Sequence, residues 1–273
     1  DRAPVTRQPS SRIRGVGKGT VDIVNEIGRY PAEDEEVRAL AQQVRRGGNA
    51  TNTLVVLSQR GHHCAWAGTL AREPDAQVIL ADLERHGIDI SPVRTAEQGK
   101  VPTSYVALSR ATGSRTIIHR RDLPEYHCDD FARITLERFD WVHFEGRNIE
   151  QIGPMLERVR RQGNLRCSLE VEKPRAGIER LLPLADLLLF SRGYAQARGY
   201  TEPHAFLQWI RRRAPGAQLV CGWGARGAYA LAPGGERLHL PAVTPPHIVD
   251  TLGAGDVLNA GLIDGLVRGA DLE

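Results

Sequence analysis

Two spacings of apolar residues alternate along this chain. In "WVHFEG", "RCSLEVE", "DLLLF" and "QLVCGWG", four to six mostly apolar residues run together between polar or glycine-rich stretches. Such runs suit strands covered on both faces. Between them lie longer stretches whose apolar positions recur every third or fourth residue, the period of a helix with one buried face. These predict helices in "GNATNTLVVLSQRG", with Asn49 near the N-cap and Gly61 past the end, and in "PDAQVILADLERHG", from Pro74 to a cap at Gly87. Others follow from Ile149 to Gln162, in "AFLQWIRRRA", and from Gly253 to Gly269. "CAWAGTL" reads as a short strand, and a first strand is expected over Ile13–Gly17, leading into an extended piece that carries Asp22. Strands that alternate with helices through short loops predict an α/β fold: a mostly parallel sheet with helices on both faces, three layers deep.

Some segments do not fit that core. "TSYVALSRATGSRTIIHRR" alternates polar and apolar residues on both sides of Ala111-Thr112-Gly113, a β-hairpin pattern. "GAYALAP" and "ERLHLPA" form a second hairpin pattern, and "YPAEDEEVRALAQQVRRGG" is too polar for the core. Strands from about 18–46 and 101–121 are expected to build a small separate sheet, serving as a lid or an interface. Residues 1–12 read as a disordered polar tail, and 13–273 as one domain.

Composition narrows the function. The chain has 273 residues and a formal net charge of +3 with acids and bases interspersed, which argues against nucleic acid as a partner. Four scattered cysteines, Cys64, Cys128, Cys167 and Cys221, without Cys-x-x-Cys spacing, suit a reduced cytoplasmic protein. No stretch reaches membrane-spanning length, and the polar N-terminal dozen, with Pro4 and Pro9, does not read as a signal peptide.

"GVGKGTVD", Gly15 to Asp22, resembles a phosphate loop only superficially. The required first glycine would fall at Arg12, Gly19 replaces the expected Ser or Thr, and a strand follows where a helix should begin. His62-His63-Cys64 is expected to be the start of a strand, and Arg211–Arg213 the solvated end of a helix. No glycine fingerprint of a dinucleotide fold opens a helix after the first strand.

Two stretches carry chemistry. In "DTLGAGDVLNAG", Gly253, Ala254 and Gly255 open a helix, so their unpaired amides and the helix dipole form an anion site. Asp256 follows in the first turn, where a carboxylate can take a proton from a nucleophile that attacks the bound anion. In "RRGGNATN", Gly48 offers bare backbone, and Asn49 and Asn52 lie one turn apart, a pair of amides suited to sugar hydroxyls. Each stretch also has a plain structural reading, as close packing with a capping acid, or as a capping Asn. Glu170, Glu172 and Lys173 close a strand on the expected active-site edge, and Lys173 could reach a phosphate.

"DTLGAGD" and "GGNATN" together resemble the signatures of the PfkB, or ribokinase-like, carbohydrate kinases. "YPAEDEEVRAL", "GSRTI", "HFEGRN" and "EVEKPR" are similar to its ketohexose-kinase branch, in family order from Gly15 to Gly265. The resemblance implies phosphorylation of a ketohexose by ATP, D-fructose to fructose 1-phosphate, in a homodimer joined through the β-lid. Asp256 would be the base, with the amides of Gly253, Ala254 and Gly255 as the anion hole. Asp22, Gly48, Asn49 and Asn52 would bind the sugar; Arg115, Gly224, Ala225, Arg226 and Gly227 would contact ATP. The glycines and Lys18 of the decoy loop would then bind no phosphate. Mg2+ would be held mainly by ATP and water, since "SRGYA", Ser191 to Ala195, lacks the Asn-x-x-Glu motif of many members. K+ would sit near Asp250 and Thr251. Arg226 stands where an acid is expected, and the family pattern continues past Glu273 with helices that wall the adenine pocket. Another sugar or nucleoside kinase of the family, and a non-catalytic sugar-binding protein, are the alternative readings.

Overall fold

The computed structural model describes residues 10–243 and 253–270. The chain begins with β1 (Arg12–Val16), β2 (Thr20–Ile27), β3 (Ala41–Gly47) and α1 (Asn49–Gln59). It continues through β4 (His63–Ala67), β5 (Thr69–Ala71), α2 (Ala76–Arg85), β6 (Arg94–Ala96), β7 (Lys100–Ser109) and β8 (Arg115–Asp122). Next come α3 (Cys128–Ala132), β9 (Trp141–Glu145), α4 (Ile149–Arg161), β10 (Arg166–Val171), β11 (Leu187–Phe190) and α5 (Arg192–Ala197). The last elements are α6 (Pro203–Arg211), β12 (Gln218–Gly222), β13 (Ala228–Leu231), β14 (Arg237–Leu240) and α7 (Ala254–Val267).

The central sheet has eight strands in the order β14-β13-β12-β11-β10-β9-β1-β4. From β12 to β4 every neighbouring pair is parallel, and the β13–β14 hairpin adds an antiparallel edge. Both faces are covered, as the apolar runs require. In β11, Leu188 and Phe190 pack into one core with Ile152, Leu156 and Phe206 of α4 and α6. Leu187 and Leu189 turn the other way, into a core with Leu54, Ile79 and Ile263 of α1, α2 and α7. The expected three-layer α/β/α architecture is therefore present.

The second sheet runs β3-β2-β7-β8, built from the segments that did not fit the core. Registers across it align Arg45, Asp22, Ser104 and His119 in one row. The next row is Val44, Ile23, Tyr105 and Ile118. Because side chains alternate across a strand, these rows face opposite sides of the sheet.

Several boundaries differ from expectation. β1 begins at Arg12, inside the segment read as tail. "CAWAGTL" breaks at Gly68 into β4 and β5; a Cβ there would meet the Gly17 carbonyl oxygen at 2.6 Å and the Trp66 ring at 2.4 Å, so this close crossing requires glycine. α2 starts at Ala76 and not at Pro74. The short helices α3 and α5 were not foreseen, being too brief to show a helical period. Among the described residues no helix is long and apolar enough to cross a membrane. Cys64, Cys167 and Cys221 are buried free thiols, and burial raises each to about 12.

Candidate active site

α1 and α7 begin at the same end of the central sheet, and the site lies between their first turns. At the head of α7, Gly253 is the N-cap, with φ 82°, a backbone that favours glycine. No side chain caps the helix, so the amides of Gly253, Ala254, Gly255 and Asp256 have no intrahelical acceptor. Asp256 is buried and does not act as a cap: its Oδ2 accepts from Asn52 Nδ2 at 2.9 Å. The plain reading of Asp256 as a capping acid is thereby excluded.

Asn49 does not cap α1 either. Gly48 is the N-cap, with φ 102°, and a Cβ on it would meet the Lys18 carbonyl oxygen at 2.4 Å. The Asn49 amide instead donates to Glu170 Oε1 and Glu172 Oε2, both at 2.7 Å. From α7, Asn259 Nδ2 donates to Glu170 Oε2 at 2.8 Å. Behind Asn52, Arg46 Nη1 donates to its Oδ1 at 2.7 Å, while Arg46 Nε pairs with Asp82 at 2.6 Å. Charged groups thus orient both asparagines: Glu170 and Glu172 hold Asn49, and Arg46 holds Asn52.

The cleft in front of these residues encloses about 620 Å³. Asn49, Glu170, Glu172, Gly253, Gly255 and Asp256 line it, together with Ser191, Gly224 and, from β8 of the second sheet, Arg115. Burial pushes the Asp256 carboxyl up to about 7, with Glu145 and Glu172 adding to the rise and the Asn52 hydrogen bond holding it back. Burial beside Asp256 and Glu145 likewise raises Glu170 well above the ordinary carboxylate range. A carboxylate that titrates near neutrality, beside exposed amides at a helix head, can accept a proton while an anion is held close by.

The structure brings together most of the residues singled out in the sequence. Asp22 stands near Gly48: its Oδ1 accepts from Thr20 Oγ1 at 3.0 Å, and its Oδ2 lies over Gly47, 2.1 Å from where a Cβ would be. Gly224–Arg226 form one 3-10 turn, and Gly227 follows at φ 88°. Arg226 turns away from the cleft, donating to Tyr229 Oη at 3.2 Å and pairing with Glu202 at 3.4 Å. Asp250 and Thr251 lie outside the described residues. Lys18 opens no phosphate loop: its backbone amide donates to Glu145 Oε2 at 3.0 Å, and a strand follows.

Glu145, Arg147, Arg46 and Asn259 were missed. Glu145 ends β9, Glu170 is the last residue but one of the adjacent parallel strand β10, and the two are register partners. An acid at the carboxyl end of an otherwise apolar strand was the available signal, because such ends face the ligand in open α/β sheets.

Comparison with known proteins identifies the family. Residues 20–273 match the model of the pfkB family carbohydrate kinases. Mouse ketohexokinase is 39% identical over 271 residues, covering 96% of this chain and 91% of that protein. Among solved structures, Arabidopsis thaliana ribokinase in complex with ribose and ATP superposes with a TM-score of 0.78 at 19% identity, covering 96% of this chain and 88% of that one. Cryptococcus neoformans ribokinase in complex with ADP gives a TM-score of 0.73 at 15% identity, covering 97% of this chain and 89% of that one. The chain belongs to the pfkB family and is a carbohydrate kinase with the ribokinase-like fold.

Proposed function

We propose that this kinase transfers the γ-phosphoryl group of ATP to the 1-hydroxyl of a ketohexose, D-fructose foremost. The observation that carries the reading is the meeting of Asn52 and Asp256 at the unpaired head of α7. The identity with mouse ketohexokinase supports the substrate class.

In this reading Asn49, Asn52, Asp22 and the backbone of Gly48 hold the sugar hydroxyls. Asp256 accepts the proton of the attacking hydroxyl as the new O–P bond forms, and the bond from the γ-phosphorus to the bridging oxygen breaks to release ADP. The amides of Gly253, Ala254 and Gly255 stabilise the charge on the transferring group. Arg115, on the lid, and the Gly224–Gly227 turn flank the nucleotide. Mg2+ supplies charge neutralisation on the phosphates. Glu170 has both oxygens engaged by Asn49 and Asn259, whereas Glu172 has only Oε2 engaged among the described residues, so Glu172 suits a contact to the ion or its water.

The lid sheet supports a homodimer. Its outer row leaves Val44 52%, Tyr105 43% and Ile118 69% exposed, an apolar strip that a second copy would cover. The activity is tested by ADP release over a sugar panel, with the product's phosphate located by NMR. Phosphate on C1 of fructose supports the reading; turnover confined to an aldose or a nucleoside overturns it.

A further inference from the structure

Arg46 is the last residue but one of β3, in the second sheet, and its side chain is only 8% exposed. Two helices meet it there. Nε pairs with Asp82 of α2 at 2.6 Å. Nη1 donates to Thr51 Oγ1 at 3.0 Å and to Asn52 Oδ1 at 2.7 Å, both in the first turn of α1. Thr51 Oγ1 in turn donates to the Gly47 carbonyl at 2.8 Å, so the guanidinium is tied to the backbone that leads into α1. Asp82 also pairs with Arg85 at the end of α2. Burial disfavours the Asp82 charge, but the hydrogen bond and charge of Arg46, with His86 and Arg85 adding to them, hold its carboxyl below the ordinary value.

A primary amide accepts at one end and donates at the other, whereas a guanidinium only donates. With Arg46 at Oδ1, the Asn52 amide has one workable orientation, and Nδ2 must face Asp256, where it donates to Oδ2 at 2.9 Å. Turned over, the amide would set its NH2 against the guanidinium and its oxygen against the carboxylate, losing both bonds at once. Among the described residues Asp256 Oδ1 makes no hydrogen bond, so Oδ2 is the anchored oxygen and Oδ1 the one turned to chemistry. The remaining charges around Asp256 are mostly acidic. Glu145 of β9 and Glu172 after β10 disfavour its ionised form, and Glu170 of β10 and Asp256 oppose each other's charge. Arg115 of β8 lines the same cleft. Among the described residues Arg46 does not line it, so its influence runs through Asn52 and through the field of its charge, both of which favour the Asp256 anion.

We infer that Arg46 is a positioning residue for phosphoryl transfer: anchored by Asp82, it locks Asn52 as a donor to the base and so links the second sheet and α2 to the reacting centre. This rests on Asp256 being the base of the kinase reading and deepens it. Four side chains from four elements, Asp82, Arg46, Asn52 and Asp256, form one continuous chain of contacts from α2 to the cleft.

The test measures kcat and kcat/KM for D-fructose against pH in the wild type, Arg46→Met, Arg46→Lys and the double variant Arg46→Met with Asp82→Asn. The double variant neutralises the carboxylate that the single change strands, and so serves if Arg46→Met does not fold. Loss of Arg46 should lower kcat on the order of tenfold, through a base and amide no longer held in line. It should also move the inflection of kcat/KM to higher pH by about half a unit or more, with the KM for ATP little changed. The double variant should show the same displacement, and Arg46→Lys, which keeps a donor-only charge, should return the inflection towards the wild-type value. A wild-type inflection in the folded Met variants, with the loss confined to melting temperature, marks a structural role and overturns the inference while the kinase reading stands. Turnover retained in Asp256→Asn removes Asp256 as base and the inference with it. If no fructose is phosphorylated, the ketohexose reading fails, and carbon NMR of the aspartate carboxyls decides the link, the Asp256 signal being the one absent from Asp256→Asn. A titration midpoint raised in the Met variants upholds it; an unchanged midpoint overturns it.

Discussion

Asn52 donates to Asp256 at 2.9 Å across 204 positions of chain, and Arg60 meets Asp264 at 2.6 Å across the same 204. α1 and α7 therefore lie side by side, parallel and in register over two turns. Their heads converge on the cleft, so both helix dipoles present their positive ends to it. At the far end Asp264 also accepts from Arg268 at 2.7 Å and contacts His62 Nε2 at 2.6 Å. His62 Nδ1 accepts from the Ser11 amide at 3.1 Å, which leaves Nε2 as the protonated nitrogen that donates to Asp264.

The raised Asp256 carboxyl is a cost to the fold. In the unfolded chain it ionises near its ordinary value of 3.8, in the native protein at about 7. Native stability from this group is thus greatest at low pH and falls as pH rises from about 4 to about 7, by up to about 4 kcal/mol. Asp256→Asn, whose amide oxygen can still accept from Asn52, should melt higher than the wild type at pH 8, with little difference at pH 4. Calorimetry at the two pH values checks this; a lower melting point at pH 8 contradicts it.

The same group sets the rate profile. A base must be ionised, so kcat/KM should rise with pH and level off above about 7. The Asn52 hydrogen bond favours the ionised form, whereas burial, Glu145 and Glu172 oppose it. Asn52→Leu should therefore move the inflection to higher pH as well as weaken sugar binding. A profile that falls through pH 7 would be inconsistent with Asp256 as base.

The other end of the helix pair behaves oppositely. Burial alone would raise Asp264, but hydrogen bonds from Arg268, His62 and Arg60 take it down to about 2. Its contribution, about 2 kcal/mol, is complete above about pH 4 and is lost as pH falls towards 2. Asp264→Ala strands buried donors and should destabilise the protein by about 3 kcal/mol at neutral pH. Arg60→Ala, which removes a half-exposed partner, should cost about 1 kcal/mol or less. Urea unfolding of both variants gives the comparison.

Much of this arrangement was legible in the residues. Buried runs in β9 to β12 could only be central strands, and Ala111-Thr112-Gly113 could only be a turn between alternating segments. Gly253–Gly255 and Asn49 with Asn52 announced their roles through small size, amide chemistry and spacing. Partners distant in sequence were not legible. That Arg46 orients Asn52, or that Asn259 shares Glu170 with Asn49, depends on which strands become neighbours, and local period carries no such information. Arg226 reads as a cleft residue from its neighbours, yet its long side chain reaches Tyr229 and Glu202 on the outer side.

The outer row of the lid supplies a test of assembly. Ile118→Lys places a charge on the edge-strand end of the apolar strip, at its most exposed residue, and should convert a dimer to a monomer in light scattering, without loss of the folded lid by circular dichroism. An unchanged mass would move the interface elsewhere.

The measurement that bears most directly on the account is ADP release with MgATP and D-fructose by the wild type beside Asp256→Asn. The account predicts fructose-dependent turnover that falls by at least about a hundredfold in the variant while its melting temperature is maintained or raised. Turnover that persists undiminished in Asp256→Asn would contradict it.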